Sequence, residues 1–298
     1  MFHHGTIEEQ LDFMKGRKVK IFLIIFICGF LFSTTFSKTA QHAIILVMDG
    51  ARYSETWGDS VHANIPRIAA MASKGVVLTN FRTAKIGSPA ADWTETCPGH
   101  ARLTTGTVQN IANNGQELPT QPSIFQEYIK QNKSTSSSGW IISSKDKLAI
   151  LANTSASRWN NLYQPSFSCG VNGNGTGGYR EDSLTQKIVL QKLMSDHPAL
   201  MIINFKGPDA MGHAGNWEGY LSAIKEVDTY AGVIWDSIQT DSRLKDSTVL
   251  FILNDHGRHT TDYTSHGDSC DGCSHIMCLV IGADIKAGIE DTITREQV

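Results

Sequence analysis

The sequence is short of several features that would set it apart from ordinary globular proteins. Only 18% of its 298 residues are charged, the formal net charge is −3, and no basic run lies beyond the first twenty residues. A nucleic-acid partner needs a clustered basic face, so that class is excluded. No apolar run is long enough to span a bilayer: the longest, IFLIIFICGFLF at 21–32, falls well short of the roughly 20 residues a spanning helix needs. No second Cys-x-x-Cys accompanies Cys270-Asp271-Gly272-Cys273, which excludes a four-cysteine zinc site. There is no internal repeat and no linker composition, so one large domain accounts for the length.

What the N-terminus does contain is a targeting pattern. Lys15, Arg17, Lys18 and Lys20 precede the apolar run, and small residues at 33–37 follow it. This is the layout of a secretory signal peptide over 1–37, with cleavage before Lys38 and Met14 as the natural start. The protein is therefore expected to be exported, periplasmic or secreted, with no stable membrane span after cleavage. Five cysteines stay with the mature chain: Cys97, Cys169, Cys270, Cys273 and Cys278. Export permits disulfides, and Cys270 with Cys273 is the local pair. An odd count leaves at least one thiol, and Cys97 and Cys278 suit buried apolar positions.

Along the mature chain, short continuously apolar runs alternate with amphipathic ones. Strands are expected over 43–48, 76–81, 139–143, 199–205, 247–253 and 276–281, and helices over 65–73, 123–131, 184–195 and 217–239. Continuous apolar strands interleaved with helices imply an α/β fold with a mainly parallel central sheet sandwiched between helices. The Asn-, Ser- and Gly-rich stretch 152–182 reads as a long loop or cap beside the site. The chain ends at Val298 as a new segment begins, which reads as a domain stopping short of its last helix.

Three apolar strands lead into an acid: Met48 into Asp49, Phe205 into Asp209, and Leu253 into Asp255. In open α/β sheets ligands bind beyond the carboxyl ends of strands. Three carboxylates gathered there repel unless cations neutralise them. His213 follows Asp209 by four residues, His256 is next to Asp255, and His266 lies in a Thr-Ser-His-Gly loop. Asp, His and a hydroxyl oxygen form a mixed set that suits Zn²⁺ better than Ca²⁺ or Mg²⁺. The hydroxyl comes from Thr94-Glu95-Thr96-Cys97-Pro98-Gly99-His100, where Thr96 sits just before a Pro-Gly turn and a helical run. Free N–H groups at a helix start favour an anion there.

At these residues the chain resembles the alkaline phosphatase superfamily, in the branch with a threonine nucleophile that holds nucleotide pyrophosphatase/phosphodiesterases and threonine-type alkaline phosphatases. The resemblance runs from about Ala43 to Gly288 and keeps the family's motif order. It implies two Zn²⁺ sites: Asp209, His213 and His266 at one, and Asp49, Asp255, His256 and the Thr96 oxygen at the other. His259 and His275 are left to structural roles, and His100 to packing of the turn. The resemblance further implies that Thr96 attacks phosphorus and becomes a phosphothreonine, as metal coordination turns a weak hydroxyl into a nucleophile.

Ser143-Ser144-Lys145-Asp146-Lys147 resembles a Ser-x-Lys-Asp-Arg segment of the threonine-type phosphomonoesterases, in which the Lys and Arg contact the phosphoryl group. A monoester carries one more negative charge than a diester, so Lys145 favours a small-molecule phosphate monoester as substrate. Lys147 stands where the family has Arg and lacks its planar bidentate contact. Asn114 and the Cys97 N–H are the further phosphoryl contacts implied. A phosphodiesterase shares every metal ligand and is the main alternative. A formylglycine sulfatase needs Cys-x-Pro-x-Arg, which is absent. The cofactor-independent phosphoglycerate mutase branch is intracellular with a large inserted domain, against the leader and length here. A binding protein without turnover would carry a damaged site.

Overall fold

The computed structural model describes residues 40–83 and 94–290; the expected signal peptide over 1–37, residues 84–93 and the chain's last residues lie outside the described residues. The first strand is β1 (His42–Met48). It continues through α1 (Pro66–Ala72), β2 (Gly75–Leu78), α2 (Thr96–Thr105), α3 (Ile124–Asn132) and β3 (Gly139–Ser143). A 3₁₀ segment (Asp146–Ala152) leads to β4 (Ser166–Cys169), α4 (Asp182–Asp196) and β5 (Leu200–Phe205). Then come α5 (Gly207–His213), α6 (Trp217–Thr240), β6 (Thr248–Leu253), α7 (Asp271–Ser274), β7 (Cys278–Gly282) and β8 (Gly288–Glu290).

Among the described residues the strands form one eight-stranded sheet, in the order β4-β3-β5-β1-β6-β7-β2-β8. The five strands from β4 to β6 run parallel, whereas β7 pairs antiparallel with both β6 and β2. Alternate residues of β1 enter opposite cores, as strand geometry requires. Ile44, Leu46 and Met48 join Ile224, Val227 and Ala231 of α6. Val47 joins Cys97 and Ala101 of α2 and Phe125 of α3 on the other face. The expected α/β architecture is thus observed, with both faces covered.

Two stretches depart from the expectation. The loop expected over 152–182 contains β4, an edge strand paired with β3. The turn after β5 is a short helix, α5, although its sequence GPDAMGH holds one proline and two glycines. Pro208 stands in the first turn, where the missing N–H costs nothing. Among the described residues no helix is long and apolar enough to cross a membrane.

Candidate metal-dependent active site

The carboxyl ends of β1, β3, β5 and β6 open on one side of the sheet, and each delivers a polar group. Asp49 follows β1, Lys145 follows β3, Asp209 lies in α5 after β5, and Asp255 with His256 follows β6. Thr96 opens α2, with Glu95 extended before it. A hub joins these groups: the Lys145 ammonium donates to Asp49 Oδ1 at 2.8 Å, Asp209 Oδ2 at 2.6 Å and Thr96 Oγ1 at 3.0 Å. Lys145 is only 1% exposed. Burial alone would lower its pKa, but Asp49, Asp209 and Asp255 outweigh that and raise it.

The carboxylates respond unequally. Burial pushes the Asp49 carboxyl upward and Asp255 adds to the rise, against the pull of Lys145. Burial also acts to raise Asp209, yet Lys145 and then His213 hold it well below the ordinary range. Asp255 is held down in the same way, its burial overcome by His256 and His100.

The histidines show what the cluster can accept. His213 Nδ1 donates to Thr264 O at 3.0 Å and His266 Nδ1 to Thr94 O at 2.7 Å. Each ring then turns an Nε2 lone pair inward, and these two nitrogens face each other at 3.1 Å. Two lone pairs at that separation repel unless a proton or a metal cation lies between them. Asp209 Oδ1 completes the group at 3.3 Å from His213 Nε2 and 3.5 Å from His266 Nε2. Nitrogen and oxygen ligands about 2.0–2.1 Å from a tetrahedral ion lie about 3.3–3.4 Å apart. Burial and His256 push the His266 pKa down to about 2, which keeps its ring neutral.

A second group stands beside it. His256 Nδ1 donates to Gly257 O at 2.9 Å, and its Nε2 faces Asp255 Oδ2 at 3.4 Å and Asp49 Oδ1 at 3.7 Å. Neither His256 Nε2 nor Asp255 Oδ2 has a hydrogen-bond partner, although both are buried. A polar atom left so costs about 1–3 kcal/mol, and two such atoms 3.4 Å apart suit donors to a shared cation. In both groups a backbone carbonyl fixes the ring, the arrangement that orients metal-ligating histidines.

The structure thus brings together Asp49, Thr96, Asp209, His213, Asp255, His256 and His266, with Lys145 among them. Two expected phosphoryl contacts require correction. Asn114 is exposed, and its Oδ1 accepts from Gln116 N at 2.9 Å within a turn. Its neighbour Asn113 faces α2 instead, where Asn113 Oδ1 accepts from Cys97 N at 2.9 Å. The Cys97 N–H expected to meet phosphate is therefore already engaged. Lys147 Nζ donates to the same Asn113 oxygen at 2.9 Å, so Lys147 holds Asn113 in place.

Asn204 and Arg258 are functional neighbours that the motifs did not single out, and His100, expected to pack the turn, stands with them. Asn204 Nδ2 donates to Asp49 Oδ2 at 2.7 Å and reaches His100 Nε2 at 3.2 Å. His100 packs beneath the turn, donating to Thr96 O at 2.8 Å, with the same ring nitrogen 3.3 Å from Asp255 Oδ2. Arg258, fully buried, donates to Asp209 Oδ1 at 2.7 Å. The only signal for Asn204 and Arg258 in the sequence is their nearness to the motifs. The five described cysteines are free thiols, so the expected Cys270–Cys273 disulfide is not formed.

A mainly parallel sheet whose carboxyl edge gathers three Asp, three His and a Thr at the first position of a helix defines an alkaline-phosphatase-like metalloenzyme. The chain belongs to the Metalloenzyme superfamily, whose family model matches residues 100–288. Its fold is shared with a protein in the alkaline phosphatase superfamily from Vibrio parahaemolyticus, at TM-score 0.58 and 14% identity, covering 87% of this chain and 64% of that one. It is shared too with a mutant TAB5 alkaline phosphatase with magnesium bound in its M3 site, at TM-score 0.54 and 15% identity, covering 85% and 94%. Among curated relatives, a 2,3-bisphosphoglycerate-independent phosphoglycerate mutase from Clostridium beijerinckii is 37% identical over 86 residues. That match spans 26% of this chain and 16% of the relative's length.

Proposed function

We propose that the protein is an exported hydrolase of phosphate monoesters, dependent on two zinc ions and working through a phosphothreonine at Thr96. Asp209, His213 and His266 would hold one ion, and Asp49, Asp255, His256 and the Thr96 oxygen the other. The bound ions would supply positive charge at the attacking and leaving oxygens and favour the deprotonated hydroxyl.

The observation that carries the monoester reading is the Lys145 ammonium, buried and 3.0 Å from Thr96 Oγ1. A cation fixed beside the attacking oxygen meets the extra charge of a monoester and has no equivalent need in a diester. Because Lys145 donates to Oγ1, the hydrogen of the Thr96 hydroxyl points away from it. Thr96 Oγ1 gives up its proton to solvent and forms the new bond to phosphorus, while the P–O bond to the ester oxygen breaks and that oxygen takes a proton from solvent. Water then attacks the phosphothreonine, releasing orthophosphate and restoring the hydroxyl. Asn113 rather than Asn114 is the amide poised for the phosphoryl group: its oxygen is used by Cys97 N and Lys147, which leaves its NH₂ as the donor.

One observation favours the phosphodiesterase reading. Lys145 also bonds Asp49 and Asp209, so its charge is partly spent on the carboxylates rather than reserved for substrate. The two readings separate in one experiment. Zinc-loaded protein is given p-nitrophenyl phosphate, bis-p-nitrophenyl phosphate and p-nitrophenyl sulfate, and kcat/KM is compared. We expect the monoester to be strongly preferred. Preference for the diester would overturn the monoester reading, and preference for the sulfate would move the chain to sulfuryl transfer.

A further inference from the structure

The loop 259–268 carries His266 to the candidate active site, and its neck holds a second convergence of ligating side chains. His259 Nδ1 lies 3.4 Å from Cys273 Sγ, 3.6 Å from Cys270 Sγ and 3.3 Å from Asp268 Oδ2. The four ligand atoms lie within 4.8 Å of one another. Cys273 is fully buried. One ring nitrogen carries at most one proton, so with both sulfurs as thiolates it cannot satisfy them and a carboxylate together by hydrogen bonding. A shared cation can.

The spacing also has the right size. Thiolate at about 2.3 Å and imidazole or carboxylate at about 2.0–2.2 Å from a tetrahedral zinc give edges of about 3.5 Å for sulfur to nitrogen and about 3.4 Å for nitrogen to oxygen. The observed distances fall within about 0.2 Å of these edges. Two thiolates from a Cys-x-x-Cys, with imidazole and carboxylate, form a donor set that selects zinc over hard, oxygen-seeking cations.

The backbone around the cluster is built for close approach. Gly257 N donates to Cys273 O at 2.8 Å and Arg258 N to Gly272 O at 3.0 Å. A Cβ on Gly257 would lie 1.9 Å from Gly272 O, so the two segments meet at a distance only glycine allows. His259 N donates to Ser265 O at 3.0 Å, which folds the loop back on its neck.

We propose that His259, Asp268, Cys270 and Cys273 form a structural zinc site that closes the neck of loop 259–268. The site ties the segment bearing Asp255, His256 and Arg258 to the turn at α7, and it sets the position of His266. It is separate in ligands and in role from the two groups around Thr96, and it does not depend on which ester is cleaved.

The test uses the full chain, purified under reducing conditions and loaded with Co²⁺ in place of zinc. Cobalt held by thiolates shows an intense near-ultraviolet charge-transfer band, which oxygen and nitrogen ligands do not give. We expect this band in the wild-type protein, its loss in Cys270→Ser and Cys273→Ser, and its survival in Asp49→Asn. Elemental analysis should find one zinc equivalent fewer in the Cys variants than in the wild type. Affinity at the remaining sites should fall about tenfold as His266 loses its support. A wild-type cobalt spectrum without the thiolate band would overturn the proposal whether or not the variants fold. A Cys270–Cys273 disulfide found by intact mass under the same reducing conditions would overturn it too.

Discussion

Lys145 brings a full positive charge into a space already ringed by Asp49 and Asp209, and its third bond goes to Thr96. Its role can be separated from that of Thr96 by what each removal spares. Thr96→Ala takes away the attacking oxygen, so turnover should fall by about 10³-fold or more, while zinc content by elemental analysis stays largely intact. Wild-type rates in that variant would disprove the nucleophile assignment. Lys145→Ala removes a fixed charge near the phosphoryl group and should lower kcat/KM for the monoester by about 10²–10³-fold, with a much smaller loss on the diester. Equal losses would reduce Lys145 to a structural cation. Asn204 touches no substrate on either reading; it holds Asp49 Oδ2 at 2.7 Å. Asn204→Ala should therefore weaken zinc binding about 10–100-fold, seen by competition with a chelating dye, and saturating zinc should restore most of the rate.

At the scale of elements, the site rests on how each strand ends. Gly50 follows Asp49 at φ +66°, and a Cβ there would lie 2.8 Å from Asp209 Oδ1. Gly50→Ala should cost about 1–2 kcal/mol from the left-handed backbone alone, more as Asp209 is displaced, and thermal unfolding with and without zinc would separate the two contributions. Strand endings of this kind are legible in the sequence, because a continuous apolar run followed by an acid is a strong local pattern. Asp49, Asp209 and Asp255 came from that pattern, and His213, His256 and His266 from their spacing to it. The pattern failed where local sequence is weak. β4 is four residues, SFSC, inside a Gly- and Ser-rich stretch, and only pairing with β3 makes it a strand. α5 forms despite its glycines because its first turn accepts Pro208. Asn113 and Asn114 are the same residue type one position apart, and only the turn geometry decides which faces α2. Arg258 is not a metal-ligand type, so no local pattern marks it, and only the fold brings it 2.7 Å from Asp209 Oδ1. The antiparallel return of β7 beside β6 depends on long-range pairing, which no local pattern encodes.

At the scale of the whole molecule, the sheet's carboxyl edge concentrates negative charge that must be balanced in any folded state. Without metal, the balance rests on two buried cations, Lys145 between Asp49 and Asp209, and Arg258 on Asp209. Bound zinc would share that task, which predicts a particular coupling between metal and lysine. Zinc at about 100 times its dissociation constant stabilises the folded state by about 2.7 kcal/mol per site. For a domain of this size each kcal/mol moves Tm by about 2–4 °C. Chelation should therefore lower the wild-type Tm by roughly 5–10 °C for each zinc removed, while Lys145 and Arg258 keep the protein folded. In Lys145→Ala the same chelation leaves buried carboxylates uncompensated, at a cost of about 3–5 kcal/mol, so the fall should be clearly larger than in the wild type. With zinc present the two proteins should melt much closer together. A Tm cycle over metal and Lys145 reads the coupling directly. Simple additivity would mean that Lys145 and the metal do not share the same carboxylates, and the charge-balance account of this site would then be wrong.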